Sequence, residues 1–149
     1  MNLKAQLNLK CQEILDKRLL VIQDSISDIQ KALQSETKSS AGDKHETGRA
    51  MLQLEREKAG QQLAELQKLN ETLQKIDTET QHNIVALGSI VRATDSNYFI
   101  SISIGEIKLK NESFYGISIA TPIGQLLFSK SVGDKIRFRA KTFTIIDVL

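Results

Sequence analysis

Apolar residues in the first half of the chain recur at alternating spacings of four and three. Leu15, Leu19, Ile22, Ile26, Ile29 and Leu33 make one such run. That rhythm keeps a single stripe of a helix turned toward a partner, as in a coiled-coil seam. The helix begins near Leu3. A second run places Leu52, Ala59, Leu66 and Leu73 seven apart, with Leu63, Leu69 and Ile76 at neighbouring seam positions. It predicts a helix from about Glu46 to Thr78, roughly 50 Å long at ~1.5 Å per residue. Between the runs, residues 35–43 hold no large apolar side chain and are rich in turn and cap formers, so the helix breaks there. The two seams also mirror each other about this break. Leu33 with Leu52, Ile26 with Ala59, Ile22 with Leu63 and Leu19 with Leu66 all add to the same total. An antiparallel hairpin requires that constancy, whereas a parallel homodimer leaves it to coincidence.

After His82 the pattern changes to short β-rich stretches at 84–87, 98–104, 116–119, 135–138 and 143–148. Several alternate apolar with polar, which marks half-buried antiparallel strands. Thr121-Pro122 reads as an N-cap followed by proline at the first helical position, opening a short helix through Ile123, Leu126, Leu127 and Phe128. Val132-Gly133-Asp134 makes the turn into a last hairpin. The expected architecture is therefore α+β. An antiparallel coiled-coil hairpin fills 1–80 with its tip near 37–47, and a small antiparallel sheet domain with one short helix fills 81–149. About 65 residues suffice for such a domain to be stable alone.

Charge narrows the function classes. The 149 residues carry a net charge of +2, which argues against a generic polyanion binder. Residues 1–82 hold 12 basic and 13 acidic side chains, and residues 83–149 hold 8 and 5, so neither half is strongly basic. The single cysteine, Cys11, excludes an intrachain disulfide and a cysteine-rich zinc site, fits a reducing cytoplasm, and reads as a small buried helix residue. The N-terminus lacks the basic-then-apolar order of a signal peptide, and no apolar run approaches the ~20 residues of a membrane span. A cytoplasmic protein without membrane contact is expected. No nucleotide loop, catalytic triad or zinc motif offers an independent enzyme reading.

The chemistry-bearing candidates sit at the hairpin tip, in Gly42-Asp43-Lys44-His45-Glu46. An acid followed three residues later by Glu can simply be a capping box that starts a helix. It can also present two carboxylates at the end of a long arm, and the local sequence leaves both readings open. His45 reads as solvated and His82 as structural or solvated, since no second ligand lies near it in sequence.

Two stretches carry a family resemblance. Thr121-Pro122-Ile123-Gly124-Gln125-Leu126-Leu127, followed by Ser129-Lys130-Ser131-Val132-Gly133-Asp134, resembles the C-terminal signature of the bacterial GreA/GreB transcript-cleavage factors. There the pattern is Ser-Pro-Ile/Leu, a short helix, Gly-Lys-Lys-x-Gly-Asp and a terminal hairpin. The tip matches that family's Gly-Asp-x-x-Glu run position by position, at Gly42, Asp43 and Glu46. The resemblance implies an N-terminal coiled coil with a C-terminal FKBP-like domain, in a monomeric transcription elongation factor that binds RNA polymerase. It implies that the arm enters the polymerase secondary channel, close to nascent RNA and DNA, while the stretch around Thr121, Pro122 and Ile123 docks on the channel rim. Asp43 and Glu46 would there complete a shared Mg²⁺ site for cleavage of backtracked RNA, so the chain stimulates the polymerase rather than being an enzyme itself. Mg²⁺ suits such a role because it takes oxygen ligands and is commonly held by one or two carboxylates with phosphate and water. The family continues its tip with Asn and an aromatic residue, whereas this chain reads Thr47-Gly48-Arg49-Ala50. Lys38, Arg49, Arg56 and Lys58 are loose candidates for RNA contact along the arm. The competing readings are a channel-binding regulator without cleavage, a prolyl isomerase or chaperone, and a coiled-coil adaptor.

Overall fold

The computed structural model describes residues 1–38 and 42–149, with the side chains of 37, 38 and 42–45 outside the described set. The chain divides into two compact units, Leu15–Asn70 and Met1–Ile14 with Glu71–Leu149. Two long helices, α1 (Leu3–Lys38) and α2 (Gly42–Gln74), form the hairpin.

Within Leu15–Asn70 the seam residues turn inward as their spacing requires. Leu15, Ile26 and Ala59 are buried, and Leu19, Ile22, Ile29, Leu33, Leu52, Leu63 and Leu66 are half-buried. The helices run antiparallel. Near one end the Glu36 carboxylate lies 3.6 Å from where a Cβ on Gly48 would stand. Further along, Lys17, Arg18, Val21 and Ile22 line one groove with Gln62, Glu65 and Leu66. In the other unit, Gln74 Nε2 donates to Gln12 Oε1 at 3.1 Å. Facing residue numbers thus keep a nearly constant total from one end of the pair to the other, as the mirrored seams require.

The helix limits differ from those expected. α1 runs on to Lys38 and α2 already starts at Gly42, because the polar 35–38 stretch contains no proline and is compatible with helix. At its other end α2 stops at Gln74, short of Thr78. The amides of Lys75 and Ile76 bond three residues back, to Thr72 and Leu73, the tighter 3₁₀ pattern of a closing turn. Asp77 then accepts from the Glu79 amide at 2.9 Å and from Thr80 Oγ1 at 2.7 Å, a local bonding pattern that competes with helix.

The remainder of that unit contains β1 (Ile90–Ala93), β2 (Asn97–Ile100), β3 (Gly105–Leu109), β4 (Glu112–Ile117), α3 (Pro122–Leu127), β5 (Lys135–Phe138) and β6 (Lys141–Val148). They form a six-stranded sheet in the order β3-β4-β2-β1-β6-β5. All neighbours pair antiparallel except β2 and β4, which are parallel with Tyr98 opposite Tyr115. The parallel pair arises because the chain leaves β2, passes to the outer position as β3 and returns between them as β4. The expected antiparallel sheet thus holds at every pairing but this one.

One sheet face buries Val91, Tyr98, Ile100, Ile117, Ile136, Phe143 and Ile145 under Leu127 of α3, with Ile123 and Phe138 packed at the margin. Ile90, Phe99, Ile107 and Phe114 are buried as well. The register puts them on the opposite face, since Ile90 pairs with Phe99 and Ile107 with Phe114. The helix ends in this unit join that packing, with Cys11 Sγ 3.9 Å from Ser101 Oγ and Lys4 Nζ donating to the Thr80 carbonyl.

The stretch 84–87 is not a strand. Val85 alone is buried, and it exchanges backbone bonds with Lys130 and Ser129, while Ile84 is exposed. Ala86 and Ser89 close a tight turn through Gly88 at φ +90°. The stretch 98–104 is a strand only to Ile100.

Candidate functional site

The hairpin's two helices are joined through 39–41, so Gly42, Asp43 and Glu46 lie at the start of α2. The Asp43 and His45 side chains fall outside the described residues. Glu46 is exposed. Position 43 is the second residue of α2 rather than the residue before it, so the backbone does not follow the capping box as written. Positions 43 and 46 are instead i and i+3 in one helix, which makes them neighbours on its surface. Acids in a first turn also complement the positive end of the helix dipole. Glu36 is an acid that sequence reasoning missed. The mirrored seams could have found it, because they set Glu36 opposite the first turns of α2.

Among the described residues no group of three or more His, Cys, Asp and Glu side chains is arranged to hold a metal ion. Two tip carboxylates suit Mg²⁺ in donor type but supply too few ligands to retain it alone. Of the loose arm candidates, Arg49 and Lys58 are exposed and Arg56 is half-buried, while the Lys38 side chain is outside the described residues.

The second candidate stretch opens α3. Thr121 is its N-cap, in extended conformation, and Pro122 takes the first helical position. Thr121 Oγ1 accepts from the Gly124 amide at 3.1 Å and donates to the Ser118 carbonyl at 2.7 Å. Gly124 is required by proximity, since a Cβ there would sit 2.0 Å from the Ser118 carbonyl oxygen. Pro122 is exposed and Ile123 is half-buried. Thr121 therefore has a complete local explanation as a cap, while the Pro122 ring is exposed beside it.

Beside α3, Ile123 lines a groove of about 440 Å³ with Tyr98, Tyr115, Phe138, Phe143, Arg139 and Lys141. Tyr98 and Phe143 are buried there, but Tyr115 is exposed and Phe138 half-buried. Tyr98 donates to Asp95 Oδ2 at 2.6 Å, and burial followed by that carboxylate raises its pKa well above the ordinary value. The phenol is therefore a fixed neutral donor.

Elsewhere, burial pushes the Cys11 thiol up to about 11, in keeping with an inert buried cysteine. His82 is structural, with Nδ1 2.6 Å from Ser89 Oγ. Burial first and the Lys4 charge second hold it below its ordinary value, against the opposing pull of Asp77. No described helix is long and apolar enough to cross a membrane.

These features define a class: a two-unit α+β protein with a helical hairpin whose second helix carries acids in its first turns, and a proline-opened helix beside a mixed sheet. No family model and no curated protein matches the chain. Among solved structures it is similar to the transcription factor Gfh1, at 19% identity over 91% of each chain and a TM-score of 0.35. It is also similar to a prokaryotic transcription elongation factor GreA/GreB from Nitrosomonas europaea, at 21% identity over 56% of this chain and 78% of that one, with a TM-score of 0.32.

Proposed function

We propose that the chain is a Gre-like transcription elongation factor that binds RNA polymerase through the α3 region and inserts its hairpin into the secondary channel. The reading rests on the sequence resemblance at 42–46 and 121–134. The observation that carries it is the antiparallel pairing of α1 (Leu3–Lys38) with α2 (Gly42–Gln74), the Gly-Asp-x-x-Glu match opening the second of these helices. Within Leu15–Asn70 the pair supplies about 40 Å of helix at ~1.5 Å per residue, a narrow object suited to a pore.

In that complex Asp43 and Glu46 would lend carboxylate oxygens to a Mg²⁺ shared with the polymerase, and such an ion supplies Lewis-acid activation of water. The chain contributes ligands and their placement, and the polymerase remains the enzyme. A second reading, a channel-entering regulator without cleavage, is favoured by one feature. Gly48 stands where the family has an aromatic residue, and its open side is taken up by the Glu36 carboxylate.

A stalled, backtracked complex of purified bacterial polymerase separates the two. Addition of the protein releases a short 3′ RNA fragment, and Asp43→Asn with Glu46→Gln abolishes that release while polymerase binding persists. If the double variant cleaves like the parent, the two acids have no catalytic part. Slowed elongation with no fragment from the parent protein selects the regulator.

A further inference from the structure

The net charge of +2 hides a local concentration of cations. Five of the eight basic residues of 83–149 fall within 130–141, where Asp134 is the one acid. Asp134 is engaged locally, accepting from the Ser131 amide at 2.8 Å. Four of the five bases, Lys135, Arg137, Arg139 and Lys141, belong to the β5–β6 hairpin at the edge of the sheet, and all are exposed. Among the described residues, the ion pairs of the sheet are Arg92–Glu112 and Lys108–Glu106, so these four have no carboxylate within salt-bridge distance.

Their placement distinguishes them from a general basic surface. Lys135 pairs with Thr144 and Arg137 with Thr142, so two cations and two hydroxyls share one face of the hairpin. Lys141 pairs with Phe138 on the other face. Arg139, at the turn, carries its guanidinium 5.0 Å from the Phe138 ring centroid. Arg139 also adopts φ +58°, a left-handed conformation that glycine takes without the steric cost. The chain keeps a bulky cation where glycine would be the easier choice.

We propose that the β5–β6 hairpin is a binding surface for an extended single-stranded polynucleotide. The phosphodiester backbone is held by Lys135, Arg137, Arg139 and Lys141, and a base stacks on the half-buried Phe138 or the exposed Tyr115 at the mouth of the groove. Cations on both faces of one thin edge suit a strand that bends around it. Duplex DNA, with a persistence length of ~150 base pairs, cannot fold over a two-stranded hairpin in that way. Aromatic rings beside a cationic track are the general means of binding single strands without sequence preference. This surface is independent of the tip acids and does not require the polymerase.

Fluorescence anisotropy of the full chain with a labelled oligouridylate of about 12 nucleotides tests the proposal. An oligothymidylate, a duplex of equal length and polyglutamate serve as the other arms. Binding to both single strands is expected at about 50 mM salt, with a log–log salt slope near −3, from ~0.7 per phosphate contact and four cations. The quadruple variant Lys135→Gln, Arg137→Gln, Arg139→Gln and Lys141→Gln weakens binding at least tenfold and flattens the slope. Arg139→Gly removes one cation while relieving its backbone strain, so it weakens binding with no fall in Tm, which separates the surface from mere folding. The proposal is overturned by no binding at low salt, by equal affinity for the duplex or polyglutamate, or by an unchanged quadruple variant. Basic residues on an edge strand can also serve only to prevent edge-to-edge pairing. In that case the quadruple variant self-associates in sedimentation while its oligonucleotide affinity stays at the parent value, and the proposal fails.

Discussion

Thr121 offers a clean separation of folding from docking. Its Oγ1 makes two hydrogen bonds, accepting from the Gly124 amide and donating to the Ser118 carbonyl. Thr121→Ala removes both. Loss of an N-cap costs about 1 kcal/mol, within a range of ~0.5–2. The Ser118 carbonyl keeps the Thr121 amide at 3.1 Å, so the second bond adds little. For a unit of this size, ~1 kcal/mol lowers Tm by about 4–8 °C. Thr121→Ser retains the hydroxyl and caps at least as well as threonine, so its Tm should fall by less than half as much. The chain has no tryptophan, and both tyrosines, Tyr98 and Tyr115, lie in the sheet. Near-ultraviolet circular dichroism of tyrosine therefore follows this unit apart from the hairpin. A Thr121→Ala shift under about 2 °C, or equal losses for Ala and Ser, would refute the capping account. Polymerase pull-down well below both melting points then isolates docking. If α3 docks through its capped N-terminus, Ser binds like the parent and Ala binds less in proportion to fraying, whereas Pro122→Ala reduces binding with little change in Tm.

Gly124→Ala should destabilise the sheet domain by about 2–3 kcal/mol, because the neighbouring Ser118 backbone cannot yield as a flexible side chain would; a loss below ~1 kcal/mol in urea unfolding would contradict the close approach. His82 has a folded pKa below its unfolded value near 6.5. The unfolded state therefore binds the proton first on acidification, so its contribution is intact above about pH 6.5 and is lost as pH falls toward the folded value. Urea midpoints at about pH 7.5 and 5.5 should differ more for the parent than for His82→Gln, and equal differences would exclude His82 as a source. Cys11, with its thiol pushed up to about 11, should react with a disulfide reagent far more slowly in the native chain than in urea, where its pKa returns to ~8.5; equal rates would show the thiol to be accessible.

The hairpin was legible because its signal is redundant. Six apolar residues of α1 and six of α2 repeat the same face, and the antiparallel mirror adds a constraint that no single helix supplies. Thr121-Pro122 was legible for a local reason, since a cap and an N1 proline need no tertiary partner. The sheet was harder. Ile84-Val85-Ala86-Leu87 has strand composition, yet it buries only Val85 and ends in the Gly88 turn. The run from Tyr98 to Ile104 alternates in sequence, but Tyr98, Phe99, Ile100, Ser101 and Ile102 are buried consecutively, because that segment is covered on both faces. β1 is four residues long and was missed altogether, although it lies near the centre of the sheet. β3 and β4 carried a usable signal in the alternation Glu106-Ile107-Lys108-Leu109 and the two-residue turn Lys110-Asn111. The β5–β6 cations escaped notice because charge was averaged over 67 residues, whereas pairing register brings four of them to one edge.

The tip shows how a change of two or three residues in a helix boundary alters an experiment. With Asp43 as N-cap, asparagine would replace it at no cost, and Asp43→Asn with Glu46→Gln would leave folding untouched. With α2 beginning at Gly42, both acids instead lie near the positive end of the helix. Each negative charge there contributes about 0.3–1 kcal/mol at an exposed position and low salt. The double neutralisation should therefore loosen the first turn of α2 by roughly 0.6–2 kcal/mol, which frays the hairpin locally without unfolding the seam held by Ile26 and Ala59. Loss of cleavage could then follow from a frayed tip as readily as from missing ligands. Salt distinguishes them, because dipole interactions of exposed charges are screened as ionic strength rises. If the acids act as ligands, the double variant stays inactive at a salt concentration where its far-ultraviolet helicity equals that of the parent. If the parent's cleavage falls to the level of the double variant once the helicities match, the acids serve the helix and the ligand role is wrong.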